Sequence, residues 1–526
     1  MKKVLAATLV ALLALGTVNV QAQGFLNNLK NKAQQAVNQS VNNATSQAVN
    51  SASKAAGNAA QNAVNSVSSG SSMKTAPQNS PSLASRGRTI YVSVSTGKAR
   101  ADGLSPENAL KDLQKAIDIA QDGDVINVAE GNYLGNMDRG YVEIGRFGNA
   151  THEMGKFISI YGGWNTSFTE RDVIKHITKM QPTSQGFTAP LFNWNARRPY
   201  GYTGPVGNVV LDGFVFDLGE NNRYFVKNVA VEATGTPNEG VLTGRFVEPD
   251  SNPSFPLEGY SSGDEYGLHM DVEGNVRISN CIFVNCRDYG ISALMAKGHI
   301  EICNNIFIAC RYSACQVKGN VKDADIEKVS FDFHHNTVLF TWTRTKGFED
   351  MGQGFRFMNG IRTINVYNNI FGCNSNCAVE RVYYESNKQM EALKQSNLYD
   401  NYFFANRRDL ELAAQGAATI SVDAARIEEA EQIGPKYEGN KELPKGNDAF
   451  YKAIDQSYLE GYMTLKIVQS RSYDANSAAN QVNRLFGLNQ QGTEIVRPSM
   501  YCNKYPWEKS LNLWGKVPGY GAQMPK

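Results

Sequence analysis

The sequence predicts an all-β fold: a right-handed parallel β-helix solenoid with an N-terminal amphipathic capping helix and an irregular, partly helical C-terminal region. Six segments stack into one column: Leu211-Asp-Gly-Phe-Val-Phe216, Ile278-Ser-Asn-Cys-Ile-Phe283, Ile302-Cys-Asn-Asn-Ile-Phe307, Phe333-His-His-Asn-Thr-Val338, Val366-Tyr-Asn-Asn-Ile-Phe371 and Leu398-Tyr-Asp-Asn-Tyr-Phe403. Each has an apolar residue, two turn-forming residues, often Asn, then an apolar or aromatic pair. The last five recur at intervals of 24 to 33 residues, the signature of a solenoid whose units bury their apolar faces only against one another. Asn tolerates left-handed backbone geometry, and its amide can bond the Asn above and below. A strand, an Asn-bearing bend and a second strand therefore make one corner of a coil. The third observation is an amphipathic segment ahead of the column, of the kind that covers the open strand edges at a solenoid's end.

Taken in order, the chain begins with Lys2 and Lys3, an apolar run from Val4 to Val18, and small residues at Val20-Gln-Ala22. Residues 1–22 read as a signal peptide cut after Ala22. The run is too short, with the wrong flanks, for a membrane span. No later stretch is apolar enough to be one, and no Cys follows the cut to carry a lipid. The expectation is an exported chain: periplasmic, on the outer surface, or secreted. Residues 23–88 form a low-complexity Ala/Asn/Gln/Ser-rich arm and linker. Ala33, Ala44 and Ala55 are spaced by eleven, as are Val37, Ala48 and Ala59, which fits a nearly straight helix or a right-handed coiled coil. An Ala stripe buries little area, so the arm is either a helix that needs a partner or a disordered segment. It carries Lys but no Asp or Glu, and an envelope partner is its expected contact. The net charge of +2 gives no whole-protein field to attract nucleic acid.

The folded region is expected over 89–435. Tyr91-Val-Ser-Val-Ser is a strand. The segment from Ser105 to Ala120 reads as one helix, with Ser105 as N-cap and Pro106 at the first position. Ala109, Leu110, Leu113, Ala116, Ile117 and Ala120 form its apolar face. Val125-Ile-Asn-Val is a strand, and Glu130-Gly-Asn-Tyr closes the unit. Residues 220 to 265, dense in Gly, Pro, Asn and Asp, interrupt the column. Farther on, Asp409 to Ala414 and Glu428 to Glu431 look helical around a strand at Thr419 to Val422. Residues 436–526 form a C-terminal capping region expected to cover the other open end. Of the eight Cys, Cys286 and Cys310 fall at matching positions one coil apart and read as stacked buried thiols. Cys373 and Cys377 are close enough in sequence to pair.

Tyr91-Val-Ser, Asp102-Gly-Leu-Ser-Pro-Glu-Asn-Ala, Leu113-Gln-Lys-Ala-Ile, Gly123-Asp-Val-Ile-Asn-Val and Glu130-Gly-Asn-Tyr together resemble the capping segment of right-handed parallel β-helix proteins of the pectin-lyase-like superfamily. Tyr161-Gly-Gly-Trp-Asn with Arg171-Asp172 resembles a segment of bacterial surface proteins with this fold. The resemblance covers roughly residues 89 to 435 and implies a substrate groove along the third strand of the coils and the turn before it. Paired Asp motifs and a Gly-His-Gly, which polygalacturonan hydrolases of the superfamily carry, do not occur here, and Gly298-His299-Ile300 departs from the second.

Aligned coils place Ile291, Ala293, Cys315, Val317, Phe355 and Phe357 inward on the third strand, and Ser292, Gln316, Lys318 and Arg356 outward. Arg287 and Arg311 are expected to stack at the turn before it. The longest such turn, Thr341 to Gly354, carries Trp342, Glu349 and Asp350. The candidate binding residues are thus Arg287, Arg311, Gln316, Lys318, Glu349, Asp350 and Arg356. The cations suit an acidic polysaccharide, and Glu349 and Asp350 suit an acid or base, or calcium, the one cofactor the sequence suggests. His334-His335 sits in the column as turn residues. No zinc motif and no Ser-His-Asp constellation appears. Three functions stay open, in this order: a non-catalytic, glycan-associated envelope or secreted binding protein, a polysaccharide lyase or other carbohydrate-active enzyme on acidic glycans, and a structural spacer or assembly subunit.

Overall fold

The computed structural model of the protein describes residues 87–134, 142–144, 155–182, 190–198, 206–219, 225–226, 257–258, 266–286, 288–319, 328–341, 352–358, 360–374, 376–382, 396–406, 408–414, 417–422, 436–444, 446–459 and 504–525. The signal peptide, the arm up to residue 86, and Glu428 to Glu431 lie outside them.

A coil is three strands. In one coil the first is the end of Leu268–Ser279, the second Ile282–Val284, and the third the start of Tyr289–Cys303. Every second strand lies parallel to the next in a nine-stranded sheet. First and third strands share a 17-stranded sheet, because Leu268–Ser279 and Tyr289–Cys303 each run as one strand through a corner. That corner is Gly274, at φ 93°, stacked on Gly298, at φ 113°. A Cβ on Gly298 would lie 2.1 Å from the Gly274 carbonyl oxygen, so only glycine fits there. The architecture is the parallel β-helix that the resemblance implies. It runs one strand pair farther than residue 435, because Lys436–Glu438 pairs with Ser396–Tyr399 and Lys441–Glu442 with Tyr402–Phe404.

The column found in the sequence is the corner between first and second strands. Asn280, Asn304, His335, Asn368 and Asp400 all take φ between 52° and 55°, the left-handed geometry Asn and Asp tolerate best. The next residue is Cys281 in the first of these coils and a buried Asn in the others: Asn305, Asn336, Asn369 and Asn401. The Asn336 Oδ1 accepts from the Asn305 backbone N–H at 3.0 Å and its side-chain amide at 3.1 Å. Asn369 serves Asn336 the same way, Asn401 serves Asn369, and Asn440 serves Asn401. Each amide also donates to a first-strand carbonyl, as Asn369 does to Phe333 at 2.9 Å. The buried backbone groups of the bend are thereby satisfied without water.

Inside, Phe216, Phe283, Phe307, Val338, Phe371 and Phe403 are fully buried. The Phe283 ring stacks on Phe216 at 4.9 Å and on Phe307 at 5.1 Å. Cys286 and Cys310 are buried free thiols, as expected for a core column, and Cys373 and Cys377 are also free and buried rather than joined.

Three elements differ from expectation. The capping segment is not one helix. Pro106–Asn108 is a 3-10 turn, Leu110 then extends to exchange backbone bonds with Tyr91 and Ser93, and the α-helix is Leu113–Ile119. Asp112, not Ser105, caps it, accepting from the backbone of Gln114 and Lys115. Pairing with the first strand outweighs helix propensity there. The expected helix at Asp409 to Ala414 is the strand Leu410–Ala414, paired antiparallel with Ala417–Val422.

The third difference is the C-terminal region, whose described residues cover a flank of the solenoid. The outer faces of the second strands are apolar: Ile282, Val284, Ile306, Ile308, Leu339, Ile370, Tyr402 and Phe404 are all buried. They form one cluster with Phe450, Tyr451, Tyr458, Tyr505, Leu513, Trp514 and Val517. Polar contacts pin the segment. The Tyr505 N–H donates to Asn285 Oδ1 at 2.8 Å, Ala522 N–H to Thr337 Oγ1 at 3.0 Å, and Gly521 N–H to the Asn368 carbonyl at 2.8 Å. Gly372 admits the Phe404 ring, which would lie 2.1 Å from a Cβ at that position. Among the described residues no helix is long and apolar enough to cross a membrane.

Asp217 stands at the start of this flank, accepting from the Asn285 amide and Gly219 N–H, both at 2.8 Å. Burial pushes its carboxyl above the usual carboxylate range, against those bonds and the attraction of Lys179 and Lys504.

Three tests follow from this packing. Asn369→Ala strips the Asn336 N–H of its acceptor and should destabilise the fold by about 2 to 4 kcal/mol, read by denaturant unfolding. Ending the chain after residue 503 removes several large apolar side chains, each worth about 1.5–3 kcal/mol when buried. Melting temperature should fall and a hydrophobic dye should bind; an unchanged melting curve would mean the flank needs no cover. For Asp217, the folded carboxyl holds its proton to higher pH than the unfolded one, so its contribution is full below the unfolded value of about 3.9 and is lost as pH rises through the folded value. Asp217→Asn keeps the Oδ1 acceptor. It should match the wild type in acid and exceed its melting temperature at neutral pH.

Candidate functional site

The third strands alternate as the sequence indicates. Ile291, Ala293, Cys315, Val317, Phe355 and Phe357 point inward and are at most 3% exposed. The outward positions between them fall into register from coil to coil: Glu143, Asn193, His269, Ser292, Gln316, Arg356, Glu380 and Glu411 form one row. Two residues farther along each strand runs a second row, Asn195, Asp271, Leu294 and Lys318. Neighbouring strands are about 4.8 Å apart, so the first row is a regular rail of polar groups, and the second is polar except at Leu294.

The rail is cross-linked. The Arg356 Nη1 donates to Gln316 Oε1 at 3.2 Å, and its Nε lies 2.6 Å from Glu380 Oε2. Arg408 Nη1 donates to Glu411 Oε1 at 2.8 Å, and Arg197 pairs with Asp271 at 3.0 Å. Burial holds the Glu380 carboxyl above its usual range, with Arg356 pulling it down and the adjacent Glu411 pushing it up. Burial likewise holds the Asp271 carboxyl above its usual range, against the pull of Arg197, so Glu380 and Asp271 are both suited to hold and release a proton.

Beside the polar rail runs an aromatic one. The Tyr289 ring lies 5.0 Å from that of Tyr266 and 4.9 Å from that of Tyr312. Tyr266 in turn stands 5.3 Å from the His269 ring, and Arg356 is close enough to Tyr289 to act on its hydroxyl electrostatically. Tyr266 and Tyr312 are half-buried, while Tyr289 between them is buried. These three tyrosines recur every 23 residues. Reading that interval as a repeat, as was done for the Asn column, would have found them.

The expected site residues divide accordingly. Gln316, Lys318 and Arg356 share the outward face, with Lys318 exposed. Arg311 does not belong to it. Its side chain is fully buried, while the next residue, Tyr312, takes φ 78° and is half-buried. The expected ladder of free cations is corrected too, since Arg356 is paired with Glu380. Arg287, Glu349 and Asp350, and with the last two the expected calcium ligands, lie outside the described residues. Sequence reasoning missed Glu380 and Glu411 because their strands, Cys377–Arg381 and Leu410–Ala414, had not been aligned to the column.

Among solved structures, XylC in complex with xylose is similar at 11% identity and a TM-score of 0.36, over 62% of this chain and 63% of that one. The pectate lyase Pel9A is similar at 12% identity and a TM-score of 0.28, over 63% of this chain and 78% of its own. The chain thus spans less than two thirds of the length of XylC. No family model and no curated protein matches the chain.

Proposed function

We propose that the protein is an exported, non-catalytic glycan-binding β-helix, with the third-strand face as its binding surface. One observation carries this reading: an aromatic rail, Tyr266, Tyr289 and Tyr312, runs parallel to a polar rail, His269, Ser292, Gln316 and Arg356. Flat aromatic rings with hydroxyl tips offer an apolar face to a sugar ring and a polar edge to its substituents. The adjacent amide, hydroxyl and guanidinium groups supply the few directed hydrogen bonds that fix orientation.

The pairing of Arg356 bears on the ligand. A sugar carboxylate that took Arg356 would have to displace Glu380 and leave that carboxylate without its cation, in a place where burial already disfavours its charge. A hydroxyl can instead bond the Gln316 side-chain amide without breaking the pair. Neutral sugar units therefore suit the centre of the rail, and acidic units suit the exposed Lys318. An eliminase is the second reading, favoured by Glu380: a carboxyl held above its usual range beside an arginine is a reasonable proton carrier, as is Asp271 beside Arg197.

The test is calorimetric titration of the purified protein with neutral and acidic polysaccharides, alongside the ultraviolet absorbance of unsaturated products. Binding without product is expected. Tyr312→Ala with Gln316→Ala should weaken it by about tenfold, or 1.4 kcal/mol, with little change in melting temperature. Binding by no glycan, or undiminished binding by the double variant, would overturn the assignment. Accumulating unsaturated product that Glu380→Gln abolishes would favour the second reading.

A further inference from the structure

The first strands present a separate outward face on which ionisable groups are concentrated. Glu301 and Cys303 are two residues apart on one strand and so point the same way. His334 pairs directly with Cys303 on the next strand, and Asp332 with Glu301. His334 Nε2 is 3.1 Å from Glu301 Oε1. The ligand-capable atoms of Glu301, Cys303 and His334 all lie within 4.8 Å of one another.

We propose that Glu301, Cys303 and His334 form a binding site for a zinc-class divalent transition metal, with one coordination position left open to solvent. A tetrahedral ion bound at about 2.0–2.1 Å to nitrogen and oxygen and about 2.3 Å to sulfur has ligand–ligand edges of about 3.3 to 3.6 Å. The imidazole–carboxylate separation of 3.1 Å is close to that edge, and the sulfur lies within 4.8 Å of both atoms. One thiolate, one imidazole and one carboxylate suit zinc, cobalt or copper, and do not suit calcium or magnesium, which take oxygen.

The surroundings are arranged as a metal site's support would be. His335 Nδ1 lies 2.8 Å from His334 Nδ1, so the second ring nitrogen is engaged and Nε2 is the one directed at Glu301. Tyr367 stacks on the His334 ring at 4.7 Å and fixes its plane. Arg277 Nε stands 3.6 Å from the other oxygen of Glu301, and Asp332, 3.5 Å from His299, adds a nearby negative charge. The Glu301 and His334 side chains are 20% and 15% exposed, and Cys303 is almost wholly buried, so the open position faces outward.

Proton balance is simple. Burial keeps the Cys303 thiol protonated in the absence of metal. Binding exchanges the S–H bond for an S–metal bond and releases that proton to solvent. The His334 ring proton moves from Nε2 to Nδ1, the His335 proton moves from its Nδ1 to its Nε2 so that its Nδ1 can accept the new N–H across the 2.8 Å contact, and the His334 Nε2 lone pair goes to the metal. No electron is transferred.

The experiment is titration of the chelator-treated full chain with cobalt(II) and with zinc(II). One equivalent of cobalt should bind with a near-ultraviolet thiolate-to-metal charge-transfer band. Cys303→Ser should abolish the band, His334→Gln should weaken cobalt binding at least tenfold, and zinc should raise the wild-type melting temperature. Cys281→Ser, which alters a core thiol elsewhere, should keep the band. If Cys303→Ser does not fold, Glu301→Gln and His334→Gln decide by affinity. Absence of stoichiometric uptake, or a charge-transfer band that survives Cys303→Ser, would show that the three residues form only a polar rung. The result is independent of the glycan assays, because this face is not the third-strand face.

Discussion

From Asn305 to Asn440, every coil turns its first corner on the same two residues: one in left-handed geometry and one Asn whose amide is wholly or almost wholly shielded from water. Placing a tight bend in a dry interior strands the backbone N–H of the bend, and a stranded group costs about 1–3 kcal/mol. The Asn of the next coil removes that cost, while its own amide binds a carbonyl in the coil before. Because donor and acceptor belong to different coils, the bond also fixes the register between coils. A slip of one residue would take Asn336 off Asn369 and turn every side chain of the strand to the opposite face. The two outward faces, and the chemistry on them, depend on that phase.

The parts of the fold written in this repeat were legible in the sequence. The Asn column, the Phe stack and the alternation at Gln316, Lys318 and Arg356 each recur once per coil, so an error in one coil is checked by the next. What failed was local. Arg311 sits one residue from a left-handed Tyr312, and nothing in the residue types tells such a turn from a regular one. Ser105 and Pro106 are ordinary helix-start residues, but Leu110 is taken by a neighbouring strand. The flank cover had a readable sign that was passed over. Ile282-Phe-Val284, Ile306-Phe-Ile308 and Tyr402-Phe-Phe404 are apolar at all three positions. A strand with only one buried face would alternate, so an unbroken apolar run implies cover on both sides.

That cover also divides the surface by function. Of the three faces of the solenoid, the second-strand face is sealed by apolar contacts with the C-terminal region. The first-strand face is populated by short-range ionic contacts among Arg277, Glu301, Asp332, His299 and His334. The third-strand face combines rings with hydrogen-bonding groups in two parallel rows. Clustered ionisable groups suit a small ion, whereas parallel apolar and polar rows suit an extended molecule that has both kinds of surface.

Chain length at the corners points to the same face. In the last six coils the first and second strands are always separated by two residues, as between Ser279 and Ile282 or Tyr399 and Tyr402. The Asn ladder permits no other length, because an added residue would carry the amide out of reach of the next coil. The other two corners are free of that constraint. Between second and third strands the interval grows from Val284–Tyr289 to Leu339–Gln353, and between third and first from Met295–His299 to Arg381–Ser396. Both of these corners border the third strand, whereas the first strand has only one variable border. Length variation at those corners leaves the rows of the third-strand face undisturbed, since those rows are fixed by strand pairing alone. The third strand is therefore the one whose outward rows keep their register while the chain length at both of its borders varies.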